Sequence, residues 1–234
     1  MASTLLKLGV LVVCFSFVLS ASVEDEKSRW PRFFKIFRRK DKPTIEEQAE
    51  KVVEVKTRVS QAADQLTKDG KSLQTYGKSL QDDLGNTDED FKACFDVLDQ
   101  LGSRAARAGE IITKTNEDIH DALTNKKKDV GDVVQSSQKE VSDLEKFMEQ
   151  TIDDAKKAAL GVYLKLDPTM RSEMARKIMG IDDIFKQVVN SLDEVGEDSV
   201  DLDKKVGKEK KDMSKVLRQA GERVAQAVAA PKQE

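Results

Sequence analysis

The sequence predicts an all-α protein: a long antiparallel helical hairpin packed with further long helices as an elongated, coiled-coil-like bundle. Three observations carry that expectation. The 234 residues are 35% charged and 5% aromatic, with no proline between Thr44 and Asp167, a composition of long helices rather than sheets. Apolar residues recur at every seventh position in two long stretches. Folded back on each other, the two stretches meet in one constant register.

The first stretch opens at Pro43-Thr44. Thr44 can cap the helix, and Glu47 stands three residues on, the spacing of a capping box. Ile45, Val52, Val59, Leu66, Leu73 and Leu80 form one heptad series, and Ala49, Lys56, Ala63, Gly70, Gly77 and Leu84 the other. Together they make a seam over a rod of about 60 Å at the helical rise. Gly85-Asn86-Thr87-Asp88 ends it. Gly85 suits a left-handed C-terminal position, and Thr87 or Asp88 can cap the next helix. Asp88, Glu89 and Asp90 suit the positive end of a helix dipole.

The second helix repeats the device. Phe91, Leu98, Ala105, Ile112 and Ile119 form one series; Phe95, Gly102, Gly109, Asn116 and Leu123 form the other. A chain reversal at Asn86 pairs Leu80 with Phe91, Leu73 with Leu98, Leu66 with Ala105, Val59 with Ile112 and Val52 with Ile119. The same reversal pairs Gly77 with Phe95, Gly70 with Gly102, Ala63 with Gly109 and Lys56 with Asn116. Each glycine costs a helix about 1 kcal/mol relative to alanine, so Gly70, Gly77, Gly102 and Gly109 need a reason. Close approach of the two backbones, or room for Phe95, is a structural one; a flexible hinge is the functional rival.

A third segment keeps helical spacing from Val130 to Leu166, and periodicity leaves open whether it continues the second helix through Asn125. Asp167-Pro168 marks a firm start, with Asp as cap and Pro at the first helical position. A short helix is expected from there to Gly180. A last long helix then carries Ile181 to Val224 and frays before Pro231.

The N-terminus reads as a secretory signal peptide spanning residues 1–21. Lys7 supplies the positive region, Leu8–Leu19 the apolar core, and Ser20, Ala21 and Ser22 the small residues for cleavage. The expected destination is outside the cell, or a vesicle or vacuole lumen reached by the secretory route. The mature organisation is then a cationic aromatic segment (22–43), the hairpin plus third segment (44–166), and C-terminal helices with a short tail (167–234). Removing the signal peptide leaves Cys94 as the lone cysteine, which excludes an intrachain disulfide. It is either a buried thiol, behaving as a small hydrophobe, or an intermolecular bridge that would make a homodimer.

Catalysis is not expected. His120 is the single histidine, which disfavours a zinc site; on its charged helix it is expected to be exposed or a minor pairing partner. Cys94 and His120 lie 26 residues apart, about 39 Å along one rod, too far for a dyad. Asn86-x-Asp88-x-Asp90 fails as a calcium loop, because Phe91 stands where glycine is needed and Val97 where glutamate is needed. The Asp153-Asp154 and Asp182-Asp183 pairs are expected on solvated faces or caps. No cofactor or metal is implied.

The densest chemistry lies at WPRFFKIFRRKDK. Lys27 to Lys40 holds seven basic residues and no acidic one, although the whole chain has a net charge of only -3. Wound as a helix from Pro31, Phe33, Phe34 and Phe37 share one arc, with Trp30 able to fold over it. Arg32, Lys35, Arg38 and Arg39 lie opposite. Aromatics dipping into a bilayer interface while cations meet anionic head groups is the physics of an interfacial helix. The seam after Pro43 is too narrow for the whole body to spread on lipid. An anionic lipid or membrane surface is therefore the leading partner. The rival readings are docking of the aromatics on the bundle, with a protein partner bound by the helices, and cleavage at Arg38-Arg39-Lys40 to release a cationic peptide. Nucleic acid is not expected, given the acidic body and secretory signal. A further apolar stretch, Ala158–Leu166 with Met170, Met174, Ile178 and Met179, reads as core or, alternatively, as an adaptable binding face.

Overall fold

The first helix, α1 (Ile45–Leu84), begins where its capping box requires. The Glu47 N–H donates to Thr44 Oγ1 at 3.1 Å and the Thr44 N–H to Glu47 Oε2 at 2.9 Å. The computed structural model describes residues 43–85, 88–125 and 128–229, all within the compact unit Pro43–Glu234. The expected signal peptide and the expected membrane-contact residues Trp30, Arg32, Phe33, Phe34, Lys35, Phe37, Arg38 and Arg39 lie outside the described residues.

All six residues of the first α1 series are buried, as are Ala49, Ala63, Gly70 and Gly77 of the second; Lys56 and Leu84 are half-buried. The helix stops at Gly85, whose N–H donates to Gln81 O at 3.0 Å. Its φ of 74° is positive as expected, but its ψ of 172° is extended rather than left-handed helical. Only glycine readily adopts that backbone.

The second helix, α2 (Glu89–Asn125), starts beside Asp88, whose Oδ1 accepts from the Asp90 N–H at 2.9 Å. It buries the expected series apart from Phe91, which is half-buried. It also buries a third series, Cys94, Leu101, Ala108, Thr115 and Ala122. That extra stripe exists because α2 packs against four other helices rather than one.

The chain breaks after Asn125. Asp129 caps α3 (Val130–Val162), accepting from the Asp132 N–H at 3.1 Å. A single 3-10 turn, Tyr163–Lys165, leads to Asp167, whose Oδ1 accepts from the Thr169 and Met170 N–H groups at 2.8 and 3.0 Å. Here α4 (Pro168–Glu209) begins with proline in its first turn. The expected division at Gly180 is not found: α4 runs through it for 42 residues. One glycine weakens a helix without ending it, and nothing near Gly180 supplies a cap or a crowded contact. The break falls instead at Lys210, with φ 53° and ψ 29°, followed by Asp212, whose Oδ1 accepts from the Ser214 N–H at 3.1 Å. A separate helix, α5 (Met213–Ala229), starts there. The heptad step from Val206 to Met213 disguises this break in the sequence.

Helices α1 to α4 alternate in direction as an up-and-down bundle, and no strand occurs among the described residues. The pairs Arg58–Glu194 at 3.2 Å and Lys51–Asp198 at 2.9 Å tie α4 antiparallel to α1. Nearer the other end, Tyr76 donates to Met170 O at 2.9 Å and Lys177 to Ser72 Oγ at 2.8 Å. The last helix packs on the α1/α2 pair.

Candidate interaction surfaces

The hairpin register appears in contacts, not only in burial. Gly70 sits against Gly102, and Gly109 against Ala63, the pairs set by reversal at Asn86. A Cβ built on Gly102 would lie 2.5 Å from Gly70 O, and one on Gly109 would lie 2.5 Å from Ala63 O. The two helices therefore touch backbone to backbone at Gly70, Gly102 and Gly109. Gly77 is different. A Cβ there would meet Leu98 Cβ at 3.6 Å, an ordinary contact, so close approach does not explain this glycine. One level along, Asn116 is buried and its Nδ2 donates to Lys56 O and Ser60 Oγ, both at 3.0 Å. A polar side chain at a seam position ties a particular register.

Cys94 lies fully buried on the third stripe of α2, and burial pushes its thiol up to about 11. The thiolate is the species that forms a disulfide, so an intermolecular bridge is disfavoured in the folded chain, and the buried reading applies. His120 is half-buried rather than exposed; burial and then the Lys56 ammonium push its imidazole below the usual value.

Asp182 also departs from expectation. It is buried on α4 and bonds Lys156 of α3 and Lys186, each at 2.8 Å. Burial alone would raise its carboxyl; the two lysine hydrogen bonds outweigh that and hold it below the usual range. Its neighbour Asp183 is not buried. Aspartate identity alone carries no sign of which member of the pair turns inward.

The methionine-rich stretch is mostly core. Ala159, Val162, Leu166, Met174 and Ile178 are buried, whereas Leu160 and Leu164 are exposed. The other exposed large apolar side chains are Phe147 and Val228. Phe147 is not a bare surface: the Arg104 guanidinium lies 4.0 Å from its ring centroid and bonds Thr151. Phe91 is treated similarly by Lys165, which lies 5.6 Å from its ring and pairs with Asp88 and Asp90 at 2.6 and 2.8 Å.

A surface furrow of about 520 Å³ lies on α1 and α2, lined by Lys71, Gln74, Ser103, Ala106, Arg107, Glu110, Ile111 and Lys114. Sequence reading passed over these cations. Their signal was heptad spacing on the flank of the seam: Lys71 with Lys78, and Arg107 with Lys114. Among the described residues no cluster of His, Cys, Asp and Glu could hold a metal ion, and no helix is long and apolar enough to cross a membrane. Comparison with protein-family models, with curated proteins and with solved structures finds no match to this chain.

Proposed function

We propose that this is a secreted, non-enzymatic protein that associates with anionic lipid or membrane surfaces through Trp30–Arg39, with the helical bundle as its scaffold. The observation supporting this most is a contrast in where apolar residues lie. The bundle buries its own seams and leaves Phe147, Leu160, Leu164 and Val228 as the exposed large apolar side chains among the described residues. The densest aromatic and cationic stretch stands ahead of Pro43 in the sequence. Phe33, Phe34 and Phe37 supply the apolar contact. Each of Arg32, Lys35, Arg38 and Arg39 adds about 1 kcal/mol near an anionic surface.

Vesicle co-sedimentation tests it, using the mature chain and a full-length variant with Phe33, Phe34 and Phe37 changed to serine. The parent should pellet with phosphatidylserine-containing vesicles and stay in solution with zwitterionic ones. The serine variant should remain in solution with both. Equal binding of the two proteins, or binding by neither, sinks the reading. Intact mass of the secreted protein tests the release of a peptide, which requires a cut after Arg39 or Lys40.

A further inference from the structure

We propose that the furrow between α1 and α2 is a docking site for an acidic amphipathic helix of another protein. This is independent of the membrane reading. One end of the furrow already holds a helix. Near the start of α1 it is occupied by α5: Lys211 pairs with Glu46 at 3.0 Å, Arg223 with Glu50 at 2.8 Å, and Ser214 Oγ donates to Thr124 O at 3.3 Å. Glu46 and Gln74 occupy the same heptad position on α1, as do Glu50 and Lys71. On α2, Thr124 shares its position with Glu110 and Ser103. The residues that meet α5 and those lining the open furrow therefore form one continuous pair of flanks. Of its 17 residues, α5 buries Met213, Val216, Leu217 and Ala220, so its seated part covers only a fraction of an α1 wall about 60 Å long.

The open part of the furrow carries more cations than the end that α5 meets. At the occupied end the α1 carboxylates receive cations from the docked helix. In the open part Lys71, Arg107 and Lys114 face Glu110 alone among charged lining residues, and none of the three cations has an ion-pair partner among the described residues. A helix here has to carry the opposite sign from α5. The floor is low because Gly70, Gly102 and Gly109 bring the helices together, with Ala106 and Ile111 as its apolar contacts. A docked helix therefore needs small or aliphatic residues on its contact face and glutamates beside them. A polyanion needs only the charges.

The probe is a 17-residue labelled peptide with an alanine/leucine stripe flanked by glutamates, and its isomer with lysine for each glutamate. Both are titrated against the full mature chain by fluorescence anisotropy at low salt. The glutamate peptide should saturate and the lysine peptide should not. Affinity should fall at least tenfold in a Lys71→Glu/Arg107→Glu/Lys114→Glu variant and again in Ser103→Trp, which fills the furrow without changing charge. Circular dichroism checks that both variants are folded, and hydrogen exchange should show peptide protection at 67–78 and 103–114. Absence of saturable binding by the glutamate peptide overturns the proposal. So does binding that the charge reversal leaves unchanged. If dextran sulfate or phosphatidylserine vesicles need these cations and the peptide does not bind, the furrow is a polyanion site and the helix reading falls. Self-association that disappears in the charge-reversed variant, without peptide binding, would make a second copy the occupant and overturn it equally.

Discussion

Replacing Gly70 by alanine places a methyl group on the α2 backbone. The new Cβ would overlap Gly102 O and lie 2.7 Å from Ala106 N. Neither atom belongs to a side chain that could rotate aside, so the helices must separate or shear. Gly77→Ala is the matched control: the same chemistry on the same helix, one heptad away, with Leu98 Cβ at a comfortable 3.6 Å. Both substitutions gain about 1 kcal/mol of helix propensity. That gain cancels between them and leaves the overpacking cost, about 1–3 kcal/mol. Gly77→Ala should therefore be more stable than the parent, and Gly70→Ala less stable than Gly77→Ala by that amount. In a domain of this size each kcal/mol moves the midpoint by about 2–4 °C. Urea and thermal unfolding followed at 222 nm on all three proteins give the comparison, with equal urea slopes as the check that only stability changed. If Gly70→Ala equals or exceeds Gly77→Ala in stability, backbone contact at the seam is not what retains this glycine. The hinge reading would then have to be taken up again.

Two further outcomes rest on buried chemistry. The Asp182 carboxyl is held below the usual range in the folded chain, so its contribution is present above the ordinary carboxylate pKa and is lost as pH falls through the lowered one. Asp182→Asn should cost about 1–3 kcal/mol at pH 7 and flatten the loss of stability between pH 5 and 2; superimposable acid limbs for the two proteins would contradict this. Cys94, buried with its thiol pushed up to about 11, should resist Ellman's reagent in the native protein and react at once in 6 M guanidinium. Rapid labelling without denaturant, or a dimer on non-reducing gels of native protein, would place the sulfur at the surface.

The hairpin was legible in the sequence because its information is local and periodic. The heptads of α1 and α2, with one reversal at Asn86, specify which residues face each other, and Gly70–Gly102 and Asn116–Lys56 meet as that register requires. Caps were equally legible at Thr44 and Asp167, where one side chain satisfies backbone donors a few residues away. Such features need no knowledge of the rest of the chain. The furrow was partly legible, since Lys71 with Lys78 and Arg107 with Lys114 repeat at seven, but nothing in that spacing shows which length of the flank α5 covers.

What the tertiary structure decided depends on neighbours distant in sequence. Cys94, Leu101, Ala108, Thr115 and Ala122 form a buried stripe only because other helices close over α2, and their mixed chemistry hides the period. Asp182 is internal because Lys156 on another helix reaches it, while Asp183 beside it is not buried. Gly70 is crowded and Gly77 is not, although both sit at the same seam position, because backbone separation varies along the pair. The sequence by itself determined which helix faces meet, since heptad register and caps are local energies. The closing distance, the member of each charged pair that turns inward, and the length of furrow left open came from packing several such faces at once.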